Sequence, residues 1–386
     1  MRGLLDLVPD YVRSFERYVP SRPDPVLMRQ FGVEHLFRLN NNENALGPPP
    51  LAQEAIAAFR PELGAIYPSG DAYDLRQALA ARFGKSPDRF LVGNGSCEVI
   101  SSVIRAFCGP GDAIVTADKT FAVYEWVAQF SGIETRLVPL AGRALSAAAM
   151  LAAVTERTKV LFVCNPNNPT GSWWNRATLE RFLTALDGRA LVVLDEAYRE
   201  FLDDPDFPDG MEVMERHANV LVFRTFSKMY GLAGFRIGYL CGSLEAVDIV
   251  RRTHIAYSVN ILGQIAAMAA LADDAGHLAA TRRMVDEARC FLRDLFDAMG
   301  LEYVSQAGNF IMVRTPISDT MLYRKLMREG VMVRTMTGFR CPNWIRVTLG
   351  REQAMEAFAK ALPKVLSTHE RPDVIPSHKG RIWRVR

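Results

Sequence analysis

The sequence predicts an α/β fold: a mostly parallel sheet sandwiched by helices forms a large domain, followed by a smaller α+β domain. Three observations carry the prediction. Apolar runs of strand length at 112–116, 159–164, 191–194, 220–223 and 236–240 alternate with segments of helical spacing, the pattern of parallel strands covered on both faces. Three of those runs lead into polar segments, Asn165-Pro-Asn-Asn-Pro-Thr-Gly171, Asp195-Glu-Ala-Tyr198 and Thr225-Phe-Ser-Lys228. Ligands of such sheets bind beyond the carboxyl ends of the strands, so all three are expected on one rim. After about residue 265 the pattern shifts to helices, as in 263–271, and then to the strand-like runs 309–313 and 344–348.

The 386 residues, 49% hydrophobic and 23% charged, suffice for one large and one small domain. The expected division is an N-terminal arm at 1–50, rich in Pro and Asn, a large domain at 51–265, a small α+β domain at 266–370 and a basic tail at 371–386. Forty-six basic residues against 43 acidic ones leave a net charge of +3, which gives no reason to expect nucleic acid as a partner. The first ten residues do not read as a signal peptide and no apolar run has membrane-spanning length, so the expectation is a cytoplasmic protein with no membrane partner. Six scattered cysteines without a CxxC pair read as reduced thiols, and no metal is expected.

Lys228 follows the apolar run 220–223, so its amine would emerge at a strand end in a partly dry site. There its pKa can fall and it can form a Schiff base with an aldehyde cofactor, pointing to pyridoxal phosphate. Ser227 and Arg236 supply a hydroxyl and a planar cation of the kind that bind phosphate. A turn lysine at the surface is the plain alternative. Asp195 sets a carboxylate in apolar surroundings, where a protonated pyridine nitrogen would answer it; a helix N-cap would use the same residue. Tyr198 and Asn168 could both donate to the phenolic oxygen of such a ring, although an Asn-Pro turn also accounts for Asn168. Gly93-Asn-Gly-Ser-Cys-Glu98 feeds a helical pattern, exposing backbone N–H groups and a helix dipole to a phosphate, or forming an ordinary turn. Tyr124 could stack on the ring or lie in the core. Arg346 alternates with Ile345 and Val347, so it either grips a carboxylate or sits exposed on its strand.

Taken in order, these segments resemble the pyridoxal-phosphate aminotransferases of fold type I, and within them the histidinol-phosphate aminotransferase group. The likeness covers about residues 10–365 and rests on Asn42-Glu-Asn-Ala-Leu-Gly-Pro48, Tyr67-Pro-Ser-Gly70 with Leu75-Arg76, Gly93 to Glu98, Asn165 to Gly171, Asp195 to Tyr198, Thr225 to Tyr239 and Trp344 to Gly350. It implies that Lys228 is the Schiff-base lysine and proton shuttle, that Asp195 pairs with the pyridine nitrogen, and that Asn168 and Tyr198 hold the phenolic oxygen. Ser96, the backbone at Cys97, Ser227 and Arg236 would bind the phosphate and Tyr124 would stack. Arg346 and Gly47 would lie on the substrate side. Tyr67 would reach the phosphate of a neighbouring subunit, which requires a homodimer with shared active sites and an arm lying on the partner.

The implied activity is ping-pong transamination between an amino donor and a keto-acid acceptor, foremost histidinol phosphate with 2-oxoglutarate or glutamate. Ala45, Cys97, Asp118-Lys119 and Ala256-Tyr-Ser258 depart from the family pattern, mostly on the substrate side. Alternatives are another amino acid on the same fold, a related decarboxylase or oxidase, and a cofactor-binding module without catalysis.

Overall fold

A computed structural model describes residues 3–17, 20–273 and 276–367. Twelve strands follow one another among them: β1 (Phe37–Leu39), β2 (Phe90–Asn94), β3 (Ala113–Ala117), β4 (Glu134–Val138), β5 (Thr158–Cys164), β6 (Leu191–Asp195), β7 (Val220–Thr225), β8 (Ile237–Cys241), β9 (Tyr303–Val304), β10 (Phe310–Arg314), β11 (Val331–Thr335) and β12 (Trp344–Thr348).

The larger sheet has the order β2-β8-β7-β6-β5-β3-β4. From β4 to β7 every pair is parallel, and β8 runs antiparallel between β7 and β2. This is the mostly parallel helix-covered sheet that the apolar runs predict. Side-chain alternation splits each strand between two cores. Val160 and Phe162 of β5 pack with Val193 of β6 and with Val99, Ile100 and Val103 of the helix Ser96–Phe107. Leu161 and Val163 face the other way, joining Val192, Leu194, Val222 and the helix Arg176–Leu186. Both faces are thus dry, and each fully buried aliphatic side chain contributes about 1.5–3 kcal/mol.

Pairing register is what assembles the site. Cys164 stands opposite Asp195, and Asp195 opposite Phe223, so β5, β6 and β7 end nearly level. The segments after them therefore open onto one rim. Beneath it Arg224 and Glu196, both buried, form an ion pair through the guanidinium Nε and Nη2 at 2.9 and 2.7 Å, with Asp209 2.8 Å from the same Nη2.

The smaller sheet has the order β1-β11-β12-β10-β9, antiparallel except where β1 runs parallel to β11. Here the structure differs from the sequence reading: Phe37–Leu39, placed in an arm, is an edge strand of this sheet, paired Phe37 to Val331. Three residues are too few to show a period, and the pairing spans most of the chain. Strands β2 and β4 were also absent from the expected set, since β2 ends in Gly-Asn and β4 is half polar. The basic tail at 371–386 lies outside the described residues, among which no helix is long and apolar enough to cross a membrane.

Candidate active site

Beyond β7 the chain turns sharply, with Gly231 N–H donating to the Lys228 carbonyl and Leu232 N–H to that of Phe226. The turn delivers the Lys228 side chain into a cavity of about 680 Å³ at the strand ends. Its Nζ donates to the Asn41 carbonyl at 2.8 Å. Burial first, then the positive charge of Arg346, lowers its pKa to about 8. The amine therefore sheds its proton far more readily than a free lysine, as a nucleophile and proton carrier requires.

Asp195, the last residue of β6, lines the same cavity and is almost wholly buried. Burial raises its pKa, opposed by hydrogen bonds from the Tyr124 hydroxyl, 2.5 Å from Oδ2, and from Ala197 N–H, 3.1 Å from Oδ1. A carboxylate in this setting calls for a cation. Tyr198 follows on the rim, its hydroxyl accepting from Asn42 Nδ2 at 2.9 Å, and burial pushes its pKa to about 12. It remains a proton donor over the whole working pH range.

A candidate phosphate seat lies at the start of the helix Ser96–Phe107, whose N-cap Gly95 has φ +75°. A Cβ there would stand 2.4 Å from Arg236 Nη2, so the glycine lets the guanidinium lie against the helix N-terminus. Gly238 of β8 matters similarly, because a Cβ on it would come 2.7 Å from Ser96 N. Ser96, Cys97, Ser227 and Arg236 all line the cavity at this end. Backbone N–H groups, two hydroxyls and a guanidinium form a donor set suited to a phosphate.

At the opposite wall Arg346 is buried, donating through Nη1 to Asn168 Oδ1 at 2.5 Å and through Nη2 to the Asn40 carbonyl at 2.9 Å. With its oxygen so engaged, Asn168 keeps its N–H donors for the cavity. Arg346 Nε is buried and has no hydrogen-bond partner among the described residues. Burial lowers the Arg346 pKa to about 10. Across the β11–β12 pairing Arg334 stands opposite Arg346, and both line the cavity. The Phe339 ring lies 5.6 Å from one guanidinium and 5.8 Å from the other.

Nine of the residues singled out in the sequence thus meet in one cavity: Lys228, Asp195, Tyr198, Asn168, Ser96, Cys97, Ser227, Arg236 and Arg346. Three do not line it. Tyr124, expected to stack on a ring, is fully buried behind Asp195 and lies flat on Phe162, 4.6 Å between centroids. Phe121, one helical turn earlier, takes the cavity-facing position. Gly47 instead packs its carbonyl against Gly231, where a Cβ would come within 2.1 Å. Tyr67 is 83% exposed and rests on Tyr257 outside this chain's cavity. Sequence reasoning passed over Phe121, Trp126 and Arg334, all of which line it. Local pattern offered no signal for Arg334, which follows the continuous apolar run Val331-Met-Val333.

Comparison with known proteins bears on what this cavity serves. Residues 34–362 match the family model described as aminotransferase class I and II. The chain belongs to that aminotransferase family. It is 41% identical over 369 residues to histidinol-phosphate aminotransferase 2 of Pseudomonas aeruginosa, covering 95% of this chain and 100% of the relative. The histidinol-phosphate aminotransferase of Moorella thermoacetica is 39% identical, with 92% of each chain covered. Among solved structures, the histidinol-phosphate aminotransferase of Sinorhizobium meliloti in complex with pyridoxal-5'-phosphate superposes with a TM-score of 0.81 at 28% identity, covering 92% of this chain and 98% of that one.

The residues present in this aminotransferase fit pyridoxal phosphate. The seat at Gly95 and Ser96 matches the phosphate, the buried Asp195 a protonated ring nitrogen, and Asn168 with Tyr198 a phenolic oxygen. Lys228 lines the same cavity with a depressed pKa, as an amine that captures an aldehyde requires.

Proposed function

We propose that this aminotransferase uses pyridoxal phosphate to transaminate histidinol phosphate, with 2-oxoglutarate and glutamate as the keto-acid and amino-acid partners, in the cytoplasm. The observation that carries the substrate assignment is the cross-strand pair Arg334 and Arg346 at the cavity wall away from the phosphate seat. Two cations there suit a phosphate on one substrate and carboxylates on the other. The relatives named for histidinol phosphate, near 40% identity over most of the chain, support the same choice.

When bound, pyridoxal phosphate supplies an electron sink for negative charge developing at the substrate α-carbon. The protein's part follows from its own atoms. Asp195, its carboxylate fixed by Tyr124, would hold negative charge against the ring nitrogen. Asn168 and Tyr198, both lining the cavity, would donate to the phenolic oxygen. Lys228 Nζ would hold the aldehyde of the cofactor and, as a free amine, would carry the proton taken from the substrate α-carbon, a role that a pKa of about 8 suits in both directions. Arg346, whose guanidinium is fixed by Asn168 and the Asn40 carbonyl, would orient the substrate through its charge at the cavity wall. The large domain at 51–265 provides the cofactor seat, and the small domain at 266–370 the arginine wall.

Exposed apolar residues beside Tyr67, namely Ile66, Ile255 and Tyr257, support a homodimer in which Tyr67 serves the neighbouring site. The substrate test is a half-reaction. Histidinol phosphate should convert the cofactor absorbance to that of the pyridoxamine form, and histidinol without phosphate should need at least about a hundredfold higher concentration, as expected for a lost charge-assisted contact. No change with histidinol phosphate, alongside conversion by another amino acid, would replace this substrate with that one.

A further inference from the structure

The turn Thr337–Phe339 connects β11 to β12, and its Phe339 lines the cavity. It is firmly built. Asp319, buried at the start of the helix Asp319–Arg328, accepts from the N–H groups of Met336 and Thr337 at 2.8 Å each and from the Thr337 hydroxyl at 2.7 Å. This fixes two side chains that point different ways. Phe339 packs against both substrate-facing guanidiniums. Arg340, at φ +59°, reaches the large domain, with Nη1 3.1 Å from the Asp118 carbonyl and Nη2 2.7 Å from Glu125 Oε1.

Glu125 lies in the helix Val123–Phe130, which carries Trp126, while Phe121 lies just before its start; both aromatics line the cavity. One ion pair therefore ties the aromatic wall of the large domain to the arginine wall of the small one. It belongs to neither the cofactor seat nor the proton path. We infer that Arg340 and Glu125 are positioning residues that set the width of the substrate end of the cavity, governing amino-donor affinity but not cofactor binding. The inference rests on the aminotransferase reading of the site and adds a determinant of substrate fit. The pair is partly exposed, with side-chain accessibilities of 46% and 25%, so its effect should be modest and salt-dependent.

The test uses the holoenzyme and the variants Arg340→Gln, Glu125→Gln and the charge swap Arg340→Glu with Glu125→Arg, on a panel including histidinol phosphate and glutamate. Each single variant should raise the KM of a converted donor about 1.5-fold to fivefold, with kcat and cofactor affinity unchanged. The swap should recover most of the loss, and added salt should shrink the difference between wild type and single variants. Unchanged KM in both single variants overturns the inference while leaving the activity standing, and so does an equal loss of cofactor affinity or thermal stability without rescue. A wild type that converts no donor overturns the activity and the inference together.

Discussion

The Tyr124 hydroxyl, buried behind the cavity wall, donates at 2.5 Å to Oδ2 of Asp195, which lines the cavity. Burial raises the Tyr124 pKa well above 10, so this proton stays on the phenol and the carboxylate stays the acceptor. Tyr124→Phe removes one of the few influences that hold down the Asp195 pKa. A hydrogen bond to a charged group is worth about 1.5–3 kcal/mol, so affinity for pyridoxal phosphate should fall tenfold or more. Titration of the apoenzyme checks this. With a cofactor analogue bearing carbon in place of the ring nitrogen, wild type and variant should bind alike.

The phosphate seat depends on a missing side chain. Gly95→Ala adds a Cβ at a left-handed φ and pushes Arg236 off the helix N-terminus. Cofactor affinity should drop at least about tenfold, the scale of one charge-assisted contact. Equilibrium binding of pyridoxal phosphate measures it, and an unchanged affinity would show that Arg236 lies elsewhere in the holoenzyme.

Lys228 sets a pH dependence. Its pKa is lowered to about 8, so the amine is charged below that value and neutral above it. Only the neutral amine attacks an aldehyde, so the rate of covalent cofactor capture should rise with pH and level off above about 8. Rapid-mixing absorbance over a pH series follows it. A flat or falling profile would contradict the depressed pKa.

Arg346→Lys keeps the charge but loses the planar donors that reach Asn168 and the Asn40 carbonyl. The KM of the amino donor should rise about tenfold or more, and cofactor affinity should fall by a smaller factor because Asn168 loses the donor that orients it. Steady-state kinetics beside cofactor titration separates the two.

Below the rim, Arg224→Leu would strand Glu196 as a buried charge. Such broken pairs cost about 3–5 kcal/mol, measurable by denaturant unfolding of the apoenzyme.

Lys228, Asp195 and Asn168 were legible in the sequence because each follows an apolar strand run, and parallel sheets bring such ends together. The phosphate seat was legible from its glycines. Tyr124 was misplaced because Phe121 and Tyr124 differ by three residues on one segment, and spacing alone does not say which faces the cavity and which the core. Arg334 was missed because its importance comes from standing opposite Arg346 in a pairing that local pattern does not report. Strand β1 was hidden for the same reason, being three residues long and paired with Val331–Val333 at the other end of the chain.

The central claim is that Lys228 holds the cofactor. Purified protein incubated with pyridoxal phosphate, reduced with borohydride, digested and mapped by mass spectrometry should carry the pyridoxyl group on Lys228, and Lys228→Ala should carry none and lose transamination. The label on a different lysine, or an alanine variant that still transaminates, would contradict the account.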